Sequence, residues 1–261
     1  MSKFFSLMFG LIIAFSPCAN LVARAIGGPA TKVIVGWNFP TAPGVQIFSP
    51  PKKNKYYHVL TDTGETLYVA KVLEKLEDDL CLGGKKKHWY LLPDDGPVSL
   101  NRASSLVIVI ESNVKTQLRA VATKPPDLDQ ALLSHYVDGI ARAGKLTNTA
   151  YGIRNAGYQD HTQRVVIILT SKAHAQSDAI DRIVVSVADI DGDNIRERYR
   201  YGKSRGDSGD LIANFAAMAD IDQDGLADVL LIDQGDFHGK LLLIEKNNQW
   251  HKQRDDWGDP C

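Results

Sequence analysis

Residues 183–200 read IVVSVADIDGDNIRERYR, and residues 214–232 read NFAAMADIDQDGLADVLLI. Within them, 188–197 and 219–228 superpose at an offset of 31, so that Asp189, Asp191, Asp193 and Glu197 fall on Asp220, Asp222, Asp224 and Asp228. Four carboxylates within nine residues repel one another strongly unless a cation neutralises them. Acids at positions one, three and five of a tight turn can point inward together, and the acid at position nine closes the shell. Gly225 at position six permits the sharp bend. Asn194 stands there in the first copy, the residue type that best replaces glycine in a left-handed conformation. The backbone carbonyl at position seven, Ile195 or Leu226, adds an oxygen. A flexible, all-oxygen cage selects Ca2+ over Mg2+, which demands a smaller octahedron, and over zinc, which prefers nitrogen and sulfur. Two calcium sites are therefore expected. The second is the fuller match, because the first lacks the glycine and has Arg196 and Arg198 beside it.

The flanks of these loops decide the fold. An EF-hand needs a bidentate Glu at position twelve and helices on both sides. Position twelve is Arg200 in one copy and Leu231 in the other. The approach Ile183–Val187 and the exit Val229–Ile232 are β-branched and aliphatic runs, which are strand formers. The loops therefore join strands. On these residues the segment Ile183–Ile244 resembles the calcium loops of FG-GAP and VCBS repeats, where an Asp-x-Asp-x-Asp-Gly-x-x-Asp bend connects strands of a propeller blade. That resemblance implies Ca2+ at both loops and a propeller-like or reduced β-repeat fold. The offset of 31 is short for a whole blade, and no third loop occurs: Asp127-Leu128-Asp129 is too short and stands at a helix start.

Working outward, strands are expected at Val33–Val35, Val45–Ile47, Tyr56–Leu60, Trp89–Leu92 and Leu106–Ile110, with turns at Thr61–Gly64 and Asp94–Pro97. Further strands are expected at Val165–Thr170, Ile183–Val187, Leu211–Met218, Val229–Ile232 and Leu241–Ile244. Leu67–Leu80 fits both a strand and a helical stripe through Val69, Val72, Leu73, Leu76 and Leu80. Gly83–Lys87 reads as a solvated basic loop. One amphipathic helix is expected near 127–143, capped by Asp127. Its apolar stripe runs through Leu128, Leu132, Tyr136 and Ile140, widened by Leu133 and Val137, and Gly144 is expected to turn left-handed at its end. The fold class is thus mainly antiparallel β with one helix.

Thirty basic residues against 31 acidic ones give a net charge of −1, which excludes the clustered positive charge of a dedicated nucleic-acid binder. Met1–Ala25 has the form of a secretory signal: Lys3, an apolar run Phe4–Phe15, Pro17, then Ala23-Arg24-Ala25, with Ala19 as a second cleavage position. The run is too short to span a bilayer, and no later stretch is long enough, so a periplasmic or extracellular location is expected. Cys18 would leave with the signal, and Cys81 and Cys261 could form one bridge in an oxidising compartment. The chain then divides into the signal, a β-rich region 26–150 that carries the helix, and calcium-loop repeats over 151–261, the last two able to form one domain.

No catalytic signature is written in the sequence. The seven histidines form no HxH or HxxxH pair, and no Gly-x-Ser-x-Gly elbow, Walker loop or dinucleotide fingerprint occurs. Asp160-His161 and Asp236-x-His238 read as surface pairs, and Phe237, Trp250 and Trp257 read as caps on the last strands. The expectation is a non-catalytic binding module for a protein or glycan, with Ca2+ as cofactor. A secreted hydrolase with structural calcium and a site assembled from dispersed loops is the alternative.

Overall fold

The computed structural model describes residues 32–38, 43–60, 66–78, 84–93, 106–113, 128–177, 179–205, 214–222, 224–233 and 240–253. The expected signal segment 1–25, Cys18, Cys81, Cys261, Asp127, Asp236, Phe237, His238, Trp257 and the turns expected at 61–64 and 94–97 lie outside the described residues. The chain is mainly antiparallel β with a single described helix. No described helix is long and apolar enough to cross a membrane.

Six strands close a barrel: β1 (Lys32–Asn38), β2 (Val45–Ile47), β3 (Tyr56–Leu60), β4 (Thr66–Asp78), β5 (Lys85–Pro93) and β6 (Leu106–Ser112), in the order β1-β2-β5-β4-β3-β6. Helix α1 (Gln130–Ala143) follows. Two four-stranded meanders complete the molecule. The first holds β7 (Thr149–Gln159), β8 (Thr162–Ser171), β9 (Arg182–Asp191) and β10 (Asn194–Ser204). The second holds β11 (Asn214–Ala219), β12 (Val229–Asp233), β13 (Lys240–Lys246) and β14 (Gln249–Gln253). This agrees with the mainly antiparallel, propeller-like or reduced β fold expected from the sequence.

Unbroken apolar runs explain how these parts stack. A strand with one wet face alternates apolar and polar residues, whereas one covered on both faces is apolar throughout. In β12, Leu230 and Ile232 face the first meander, while Val229 and Leu231 face the barrel. β13 divides likewise, with Leu241 and Leu243 on one side and Leu242 and Ile244 on the other. In β8, Val166 and Ile168 meet the second meander, and Val165, Ile167 and Leu169 meet Leu133, Val137 and Ile140 of the helix. In β6, Leu106, Ile108 and Ile110 pack outward on the second meander, and Val107 and Val109 fill the barrel. The layers therefore run helix, first meander, second meander, barrel.

Several local expectations change. Within the ambiguous stretch Leu67–Leu80, the described part up to Asp78 is strand, because β4 finds a continuous nine-residue ladder on β5, from Ala70↔Pro93 to Asp78↔Lys85. The same ladder takes up Lys85–Lys87, which begin β5 instead of forming a loop; Gly84, with φ of 87°, precedes them. The helix starts at Gln130, and Asp129 is its cap, its Oδ1 accepting from the amides of Ala131 (2.8 Å) and Leu132 (3.2 Å). Gly144 keeps a right-handed backbone (φ −80°), and Lys145 takes the left-handed position at φ 51°. A Cβ at 144 would sit tightly, 3.1 Å from Leu146 Cγ and 3.3 Å from the Ile140 carbonyl.

Candidate metal centre and the cleft beside it

The two look-alike segments fold differently, and the placement of glycine is the reason. In the first, Gly192 at position four takes φ 54°, and Asp191 pairs directly with Asn194 across a two-residue turn. The β9–β10 ladder runs up to that turn, so Asp189 and Asp191 are held at strand spacing on one face while Glu197, opposite Ala188, lies on the other. Asn194 is not among the left-handed residues. In the second, Gly225 at position six takes φ 96°, and the ladder closes only at Ala219↔Val229, leaving a nine-residue loop, 220–228.

The first set of predicted ligands is accordingly not brought together. Asp191 and Asp193 are exposed on the turn, and Ile195 is half-buried, packed toward the helix layer. Glu197 accepts hydrogen bonds from Tyr136 Oη (2.8 Å), Ser186 Oγ (3.3 Å) and the Arg200 guanidinium (2.6 Å). Burial, with Glu197 adding, pushes the Tyr136 hydroxyl up to about 12. Asp189 points into the layer between the meanders and meets Arg164 bidentately, at 2.8 and 3.1 Å.

Three of the second set converge, and Asp228 lies outside that group. Asp220, Asp222 and Asp224 each offer one carboxylate oxygen within 4.8 Å of the others, and they are the only such group among the described residues. The loop is shaped by its own acids. Asp220 accepts from the amides of Asp224 (3.2 Å) and Gly225 (2.8 Å), and Asp224 accepts from Leu226 N (2.8 Å). Asp228 Oδ2 accepts from Ile221 N (2.8 Å) and Asp222 N (3.2 Å). Asp228 is only 3% exposed, and burial, followed by the charges of Asp222 and Asp220, pushes its carboxyl up to about 8.

A bulge in β7 pins this loop. Tyr158 N donates to Gly225 O (3.0 Å), and Ala227 N donates to Ala156 O (2.7 Å). Gly157, at φ 124°, passes so close that a Cβ there would lie 2.2 Å from Gly225 O. Only glycine fits both that backbone and that approach.

Beside the loop, the turns of both meanders enclose a polar cleft of about 640 Å³. Asp222, Asp224 and Asp228 line one side; Asp160, Asp191, Arg196, Asn247 and Asn248 come from the hairpin turns and strand ends. Leu226 is the one apolar side chain in the lining. Arg164, Asp189, Arg198 and Glu245 also border the cleft and form a closed ring of alternating charge. Besides Asp189, Arg164 reaches Glu245 Oε2 (2.5 Å) and the Ala227 carbonyl (2.8 Å), and its guanidinium lies 5.4 Å from the Trp250 ring centre. Arg198 is the extra residue of the β10 bulge; it bonds Glu245 Oε1 (2.7 Å) and lies 3.7 Å from Asp189. Burial opposes the Arg164 charge, but its bonds to Asp189 and Glu245 prevail and hold the group above its ordinary range.

The sequence reading missed Arg164 and Glu245 as functional neighbours. Their signal was present: each is a lone charge at the end of an apolar strand run, RVVIIL in β8 and LLLIE in β13. The chain matches no family model, no curated protein and no solved structure.

Proposed function

We propose that this is an exported calcium-binding repeat protein whose second acidic loop holds one Ca2+ and whose adjoining cleft binds a protein or glycan ligand without catalysis. The observation that carries this reading is the convergence of Asp220, Asp222 and Asp224 in one bend. The donor set is all oxygen, which suits a hard cation, and the likeness of 220–228 to FG-GAP and VCBS loops supports the choice of calcium. Export rests on the signal-like segment Met1–Ala25. The cleft supports a polar ligand, because all but one of its lining residues carry hydrogen-bonding side chains.

A hydrolase working by carboxyl general-acid catalysis would need a carboxyl group with a raised pKa presented to substrate. Asp228 has the raised pKa, yet it is 3% exposed and its Oδ2 serves two loop amides. Among the described residues, no histidine lines the cleft. The binding reading is therefore preferred.

Calorimetric titration of the protein with CaCl2, together with melting curves in calcium and in chelator, tests the metal. One bound ion and a lower Tm in chelator are expected, both lost in Asp222→Ala. Superimposable melting curves with no binding heat overturn the reading.

A further inference from the structure

We propose that Arg164 is the positioning residue of the acidic loop, and that Asp189 and Glu245 neutralise it so that its charge does not repel the cation. This inference rests on the calcium reading above. Its basis lies outside the acidic cluster, in one buried side chain that joins four pieces of chain.

Arg164 is 4% exposed and stands directly across the β8–β9 ladder from Asp189. Its planar fork donates to Asp189 with two nitrogens and to Glu245 and Ala227 O with a third. Ala227 is the residue before Asp228, at the closing corner of the loop. That corner is held on every side. Ala227 N is bound to Ala156 O, Asp228 N to Ala219 O (2.8 Å), and Asp228 O accepts from Glu245 N (2.8 Å). Asp228 in turn orients the amides of Ile221 and Asp222. A path of hydrogen bonds thus runs from Arg164 through the Ala227–Asp228 backbone to Asp222, one of the three converging acids.

The electrostatics require the rest of the ring. An uncompensated guanidinium bordering the same cleft as a bound divalent ion repels it. With two arginines balanced by Asp189 and Glu245, the ring is neutral. The fork contributes geometry and adds no net charge, a task lysine cannot perform because its ammonium is a point charge.

Titration of the full chain with CaCl2 alone, at low and high ionic strength, tests this. Arg164→Gln is expected to weaken calcium binding about tenfold or more, the worth of hydrogen bonds to a charged group. Arg164→Lys is expected to stay weak. Asp189→Asn, which leaves the fork unbalanced, is expected to weaken binding by about threefold at low salt and by less at high salt, as screening takes effect. A merely structural role would lower the Tm of these variants and leave calcium affinity and its salt dependence unchanged; that result overturns the inference. Full recovery by lysine also overturns it. If Arg164→Gln fails to fold, the Asp189→Asn salt dependence decides. Absence of calcium binding to the wild type defeats the metal reading itself, which distinguishes the two failures.

Discussion

Segments 188–197 and 219–228 carry acids at the same four positions, and the fold surrounds them differently. In the first, Asp189 is met by Arg164 and Arg198, and Glu197 by Arg200 and Tyr136. In the second, Asp220, Asp222 and Asp224 face one another and are bonded chiefly by their own loop's amides. A backbone amide satisfies a lone pair without cancelling a charge, whereas the guanidinium groups that meet Asp189 and Glu197 do both. A shift of glycine from position six to position four suffices to separate the two outcomes.

The comparison can be broken most severely at Arg164. Its replacement by Met leaves Asp189 and Glu245 buried with Arg198 alone to balance both, a loss expected to cost about 3–5 kcal/mol, read by denaturant unfolding. A cost below 1 kcal/mol would mean that the first repeat does not depend on its internal counter-charge. Next comes the metal. Calcium at a hundredfold over its Kd is expected to stabilise the protein by about 2.7 kcal/mol. Asp222→Ala abolishes that gain, whereas Asp191→Ala, on the exposed turn, leaves it intact. Equal responses in the two variants would erase the distinction between the loops.

The glycines sharpen the contrast at smaller scale. Gly157→Ala must fit a Cβ 2.2 Å from Gly225 O at φ 124°, while Gly192→Ala at φ 54° meets no atom within 4 Å. The first is expected to cost about 3 kcal/mol or more, combining backbone strain with overpacking, and to shrink the calcium response. The second is expected to cost about 1 kcal/mol. The smallest effect lies in the alkaline range. The Tyr136 hydroxyl is raised from 10.0 to about 12 in the fold, so the folded protein keeps a proton that the unfolded chain releases. Stability from this group is whole below pH 10 and declines as pH rises toward 12. Tyr136→Phe should flatten that slope, and tyrosinate absorbance should show one late-titrating group fewer.

How much of this could be read in the sequence follows from the range of the interactions. The strand runs, the helix and the converging acids of 220–228 are local patterns and were legible. The helix start moved from Asp127 to Asp129 because both carry the capping carboxylate. The nine-residue ladder to β5 settled β4 as strand, and no window confined to Leu67–Leu80 contains that partner. Barrel closure was invisible for the same reason: β6 pairs with both β1 and β3, and such register is fixed only when distant runs meet. The first loop was misread because its acids were aligned and its glycine was not. Gly192 was in plain view, and a hairpin turn was the consequence it implied. The cleft needed four turns from two sheets, each unremarkable by itself.

The layer order has a consequence for how the molecule is made. The second meander is apolar on both faces and lies between the first meander and the barrel, yet its strands come after every other described element in the chain. During synthesis, its two neighbours emerge before the slab that separates them. Until β11–β14 arrive, the outer surface of β1 and β6 and the inner surface of β8 and β9 stand uncovered, each an invitation to stick to other chains. A nascent polypeptide of this design gains by staying unfolded until its last strands are available.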